Sequence, residues 1–116
     1  MNKKQLIKRC LIDADAIETY PFADDKYKNT PILRHESNKK WFGVIFEQDG
    51  KLFINLKAEP ETISLLKEQY PESVFPAWHM NKTHWCKVDV NKIAPDVLDA
   101  IIRKSFDITA PKRKRK

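Results

Sequence analysis

The stretch KWFGVIFEQDGKLFINLKA, residues 40–58, constrains the fold more than any other. Two strand-like runs flank Gln48-Asp49-Gly50, where glycine takes a positive φ without a Cβ penalty, so the pair reads as a β-hairpin. In its second arm Leu52, Ile54 and Leu56 alternate with Phe53, Asn55 and Lys57, giving one core face and one mixed face. Connections this short dictate antiparallel pairing, because a parallel neighbour needs a crossover of about a dozen residues or more.

Around the hairpin the remaining elements follow from periodicity and punctuation. Leu6, Ile7, Cys10, Leu11, Ala14 and Ile17 recur at helical spacing behind a capping Asn2, predicting an amphipathic helix over roughly the first 18 residues, with Cys10 on its buried stripe. PFADDKYKNTP is a polar loop, and PILRHES a further strand ahead of the hairpin. Pro60 suits the first turn of a second helix, with Glu59 and Glu61 at its positive end, Ile63, Leu66 and Tyr70 inward, and Pro71 as its stop. SVFPAWHM and HWCKVDV read as two more strands around Asn81-Lys82-Thr83. The last helix opens at Pro95, with Ile93 placed to staple onto Leu98 and with Val97, Leu98, Ile101, Ile102 and Phe106 on one face. The expected fold is α+β, in the order α-β-β-β-α-β-β-α, an antiparallel sheet carrying its helices on one face. Residues 1–109 are expected to form a single domain and 110–116 a basic disordered tail.

With 116 residues, 41% of them hydrophobic, the chain can bury one ordinary core. No run approaches the length of a membrane span and charges interrupt the N-terminal segment, so a cytoplasmic protein without a membrane partner is expected. Cys10 and Cys86 are too few and too far apart for a disulfide framework and read as reduced thiols. The net charge of +6 is mostly tail: five of the 22 basic residues lie in 112–116, leaving 17 against 16 acidic ones. What the body has is segregated charge. Residues 13–25 are acidic, whereas 26–40 carry Lys26, Lys28, Arg34, Lys39 and Lys40 against Glu36 alone.

AWHMNKTHWCKVDV, residues 77–90, concentrates the chemistry. His79 and His84 have a zinc-like spacing, but a structural site needs four ligands, and His35 and Cys10 lie on separate elements. A nucleophilic Cys86 needs an electropositive, partly exposed setting, and strand alternation puts it inward with Val88 and Val90. No phosphate loop, nucleophile elbow or cofactor motif is present, so neither catalysis nor a cofactor is expected. The same alternation turns Trp85, Lys87 and Asp89 outward. On residue types alone, a polar binding surface and a purely structural set weigh equally.

ETYPFADD, GKLFINLKAEPE and HMNKTHWCKVDV, in that order, resemble the MmcQ/YjbR family of small bacterial proteins, the similarity covering residues 1 to about 107. The resemblance implies an α+β fold related to that of type III secretion chaperones, DNA as the partner and no established catalytic activity. Its HxNKxHW pattern falls on His79, Asn81, Lys82, His84 and Trp85, and its YPF element on Tyr20, Pro21 and Phe22. The expectation is a non-catalytic DNA-binding protein. Its candidate contacts are Arg34, Lys39, Lys40 and Trp41, then Trp78, His79, Asn81, Lys82, His84, Trp85 and Lys87, and the tail Lys112, Arg113, Lys114, Arg115 and Lys116. If all five tail cations met phosphates, the salt slope would be about −4.5, which is non-specific adhesion. The alternative is a protein-interaction or self-associating module using Trp41, Ile45 and Phe53.

Overall fold

The computed structural model describes residues 1–112; residues 113–116, most of the expected tail, lie outside the described residues. Nine elements follow one another: α1 (Lys3–Cys10), β1 (Ala16–Thr19), β2 (Ile32–His35), β3 (Trp41–Gln48), β4 (Lys51–Lys57), α2 (Pro60–Gln69), β5 (Val74–Pro76), β6 (Trp85–Asp89) and α3 (Pro95–Thr109). The six strands form one antiparallel sheet in the order β1-β2-β3-β4-β6-β5. The expected elements recur in the expected order, with the helices on one face and one strand added.

That added strand corrects the first helix, which was expected to run to about residue 18 and stops at Cys10. Asn2 and Gln5 form the capping box that starts it, and the Leu11 N–H closes it on Ile7 and Lys8. Beyond, the Asp13 carboxylate accepts the Asp15 N–H, a local bond that competes with helix, and Ala16–Thr19 pairs with β2 instead. Ala14 and Ile17 fit the helical spacing by coincidence.

The hairpin closes through Asp49 and Gly50, both left-handed (φ 53° and 75°), the geometry that matches strand twist. Leu33, Ile45, Leu52, Ile54, Leu56, Cys86 and Val88 face the helices with Leu98, Ile101 and Ile102 of α3. In β3, register with β2 passes from Leu33–Gly43 to Arg34–Trp41, so Phe42 is an extra, bulged residue. The bulge sends Phe42 into the helix-side core, and the missing side chain of Gly43 leaves room for Leu33 and Ile54. It also opens the ladder between Phe42 and Lys57. The Ser105 hydroxyl of α3 fills the gap, donating to the Phe42 carbonyl (2.6 Å) and accepting the Lys57 N–H (2.8 Å). No helix among the described residues is long and apolar enough to cross a membrane.

His35 ties β2 to both sides of this layer. Its ring is fully buried, with Nδ1 donating to the Asp15 carboxylate (3.0 Å) and Nε2 set 3.0 Å from the Phe106 carbonyl and the Thr109 hydroxyl. The Ser37 hydroxyl, and to a smaller extent His35, hold the Asp15 carboxyl below its ordinary value of 3.8 against an opposing desolvation. A depressed carboxyl stabilises the fold above its unfolded-state pKa, and that contribution disappears as pH falls through the folded one. Denaturant titrations at a series of pH values should therefore show stability falling below about pH 4, and falling less steeply in Asp15→Asn. Parallel acid limbs for the two proteins would show that Asp15 has no part in it.

Candidate functional site

The face of the sheet away from the helices is also apolar, and two loops cover part of it. Trp41, Val44 and Phe46 of β3 and Phe53 of β4 point to this side, as their register with Arg34, Ile32, Phe53 and Asp89 requires. Within the β1–β2 loop, Asp24 holds a turn by accepting the N–H groups of Tyr27 and Lys28 on its carbonyl and that of Lys26 on its carboxylate. The turn folds Phe22 and Tyr27 back over the sheet. In the β5–β6 loop, the buried Asn55 amide grips the backbone of Trp78, donating to its carbonyl (2.7 Å) and accepting its N–H (3.2 Å).

The result is a continuous series of rings. Trp41 meets Phe22 edge-on (6.0 Å between centroids), Phe22 meets Tyr27 (6.3 Å), and Tyr27 meets Trp78 (5.8 Å). Trp78 stacks on Phe46 at 4.3 Å, and Phe46 on Phe53 at 5.6 Å. Between the two loops lies a cleft of about 350 Å³, floored by Val44 and walled by Phe22, Tyr27, Trp41, Trp78 and His79. Arg34, anchored on the Thr19 hydroxyl (3.0 Å), places its guanidinium 5.9 Å from the Trp41 ring at one side. His79 is exposed at the mouth with φ 54°, a left-handed conformation that a non-glycine residue rarely adopts.

Of the residues singled out in the sequence, the fold gathers Arg34, Trp41, Trp78 and His79 at this cleft. Lys39 and Lys40 are exposed at the β2–β3 turn, where Lys39 is left-handed (φ 62°). Asn81 serves the loop itself: its side-chain oxygen accepts the Thr83 and His84 N–H groups and its carbonyl that of Trp85. Lys82 and His84 are exposed on the same loop. Lys87 sits at the far end of the ring series, its ammonium 4.6 Å from the Phe53 ring and bonded to Gln48. Lys112 is exposed; Arg113, Lys114, Arg115 and Lys116 lie outside the described residues.

Three expectations need correcting. Trp85 does lie on the face opposite Cys86, yet it is only 8% exposed, with the Lys57 ammonium 6.0 Å from its ring, so it is packed and not presented. Asp89, also expected outward, is buried. The alternative contact surface of Trp41, Ile45 and Phe53 does not exist as a unit, because Ile45 faces the helices and Phe53 is covered by Phe46, Phe75 and Lys87. The cleft residues Phe22, Tyr27, Val44 and Met80 went unselected, although Phe22 lies in the YPF element.

Burial pushes the thiol of Cys86 up to about 11 and that of Cys10 up to about 12, so both are held as neutral thiols inside the core. Cys86 faces the helices while His84 is exposed on the loop before it, so the two do not share a site. Among the described residues no three His, Cys, Asp or Glu side chains are grouped to hold a metal ion.

The family model described as YjbR matches residues 14–108. Over 101 residues the chain is 34% identical to the uncharacterized protein YyaQ of Bacillus subtilis (strain 168), a match taking in 78% of this chain and 82% of that one. It is 31% identical over 80 residues to the uncharacterized protein YjbR of Escherichia coli (strain K12), across 65% of this chain and 66% of its relative. A crystal structure of a protein from Pseudomonas syringae superposes with a TM-score of 0.80 at 27% identity, covering 95% of this chain and 100% of the other.

Proposed function

The chain belongs to the YjbR family, and on that premise we propose that it is a non-catalytic DNA-binding protein that holds nucleic acid on the sheet face away from its helices. The observation that carries the reading is the convergence of Arg34, Trp41, Trp78 and His79, from three separate segments, on one aromatic cleft. Rings of this kind stack on bases, and the cations beside them meet phosphates. Arg34 and His79 flank the cleft, Lys39, Lys40 and Lys82 are exposed on the neighbouring turns, and Lys87 marks the far end of the same face. A body with 17 basic and 16 acidic residues binds through this local arrangement, and the Lys112–Lys116 run adds affinity without selectivity.

A chain ending at Ala110 retains every described element, since α3 ends at Thr109. Fluorescence anisotropy with labelled DNA should show that it still binds at about physiological salt, with a log–log salt slope shallower than that of the full chain by up to about 4.5. Trp41→Ala should weaken both proteins by about tenfold. If the shortened chain binds no DNA at all, adhesion belongs to the tail and the sheet face has no such function.

A further inference from the structure

The aromatic cleft has a polar neighbour. Tyr27, Thr30, Trp78 and His79 line the 350 Å³ cleft on one side and, on the other, a hollow of about 440 Å³ that opens onto Lys3, Lys26 and Asn29. Lys3 and Lys26 supply two positive charges there and Glu47 one negative, a balance that suits a single phosphodiester. Lys26 lies against that shared wall, its ammonium 5.3 Å from the Tyr27 ring centroid. An apolar aromatic cleft and a singly cationic hollow, sharing one wall, match the two halves of a nucleotide.

We propose that the pair of hollows seats one unpaired nucleotide of a DNA strand, its base in the aromatic cleft and its phosphate beside Lys3 and Lys26. The proposal rests on the DNA-binding reading above and restricts it, because a base inside a duplex has both faces covered by its neighbours and cannot enter a slot. Single strands are held in this way, with aromatic faces taking bases and ammonium groups following the backbone. The slot is set in advance: Trp78 is stacked on Phe46 at 4.3 Å and its backbone is held by Asn55, so little ordering is left for the ligand to impose. His79, left-handed at the mouth, places its ring 4.5 Å from that of Trp78 at the shared wall.

The test compares three probes on the full chain: a thymidine strand of about 12 residues, a strand of equal length whose central sugars are abasic, and a duplex of the same length. The thymidine strand should bind about tenfold more tightly than either of the others. His79→Gly accepts the left-handed backbone without a Cβ, so an accompanying loss of that preference reports the ring and not misfolding. Trp41→Leu should erase the preference as well, while Lys26→Gln should weaken the thymidine and abasic strands by equal factors. Equal affinity for the thymidine and abasic strands, or a preference unchanged in both His79→Gly and Trp41→Leu, overturns the nucleotide seat while leaving DNA binding in place. Absence of binding to all three probes removes the DNA-binding reading with it.

Discussion

Phe42→Ala is expected to lower the unfolding free energy by about 3–5 kcal/mol, the range for deleting a fully buried phenyl ring. The ring is closed off from solvent between Phe106 (5.1 Å between centroids) and His35 (5.5 Å). Part of the loss is the transfer of the ring's apolar surface. The rest depends on whether α3 can sink into the space left behind. Ser105 resists that movement, because its hydroxyl bridges the Phe42 carbonyl and the Lys57 N–H and so fixes the distance from helix to sheet at this level. The cavity term should therefore persist, and Phe42→Leu, which refills part of the volume, should cost less than half as much. Domains of this kind have about 5–15 kcal/mol in all, so the alanine variant should show a large drop in urea midpoint at unchanged slope. A loss of only about 2 kcal/mol, the transfer cost alone, would mean that the helix does relax and that Ser105 does not hold it.

The position of Phe42 separates what the sequence discloses from what it does not. Local signals were legible: the Asp49-Gly50 turn, the helix starts at Pro60 and Pro95, and the inward row of Cys86, Val88 and Val90 all rest on chemistry within a few residues. The bulge was not, because a run that is apolar at nearly every position from Trp41 to Phe46 reads the same whether or not one residue is skipped, and the skip is settled by β2 and α3. β1 was hidden for a similar reason: Ala16–Thr19 is extended because β2 offers an edge to pair with, and nothing within the segment announces it. For the site, alternation placed Trp85 on the correct face but said nothing about what covers that face. Trp41, Trp78 and His79 could be named from residue type, yet the cleft needs Phe22 and Tyr27, which the polar composition of their loop concealed. One signal of the second covering does lie in the sequence. WFGVIF is apolar at consecutive positions, and a strand apolar on both faces is covered on both.

Asn55 is where that second covering is attached, and Asn55→Leu is expected to destabilise the protein by about 2–4 kcal/mol while detaching Trp78 from the sheet. The side chain is fully buried in the middle of β4, between Val44 and Lys87, on the face that carries the rings. Its amide satisfies both backbone groups of Trp78, donating to the carbonyl at 2.7 Å and accepting the N–H at 3.2 Å. Leucine matches the volume but leaves both groups without partners, at about 1–3 kcal/mol each before the gain from added apolar surface. Ser105 solves the same problem on the other side of the sheet, so in both places a side chain stands in for a missing strand neighbour. Hydrogen exchange can isolate the effect: the Trp78 amide should lose protection in Asn55→Leu while amides of the β3–β4 ladder keep theirs relative to global stability. Asn55→Asp retains the acceptor and should keep the Trp78 amide protected even though the buried carboxylate lowers stability. If Trp78 stays protected in the leucine variant, its stack on Phe46 holds the loop unaided. If it does not, the DNA-binding reading proposed above expects Asn55→Leu to lose affinity along with the cleft, through a residue that lies beneath Trp78.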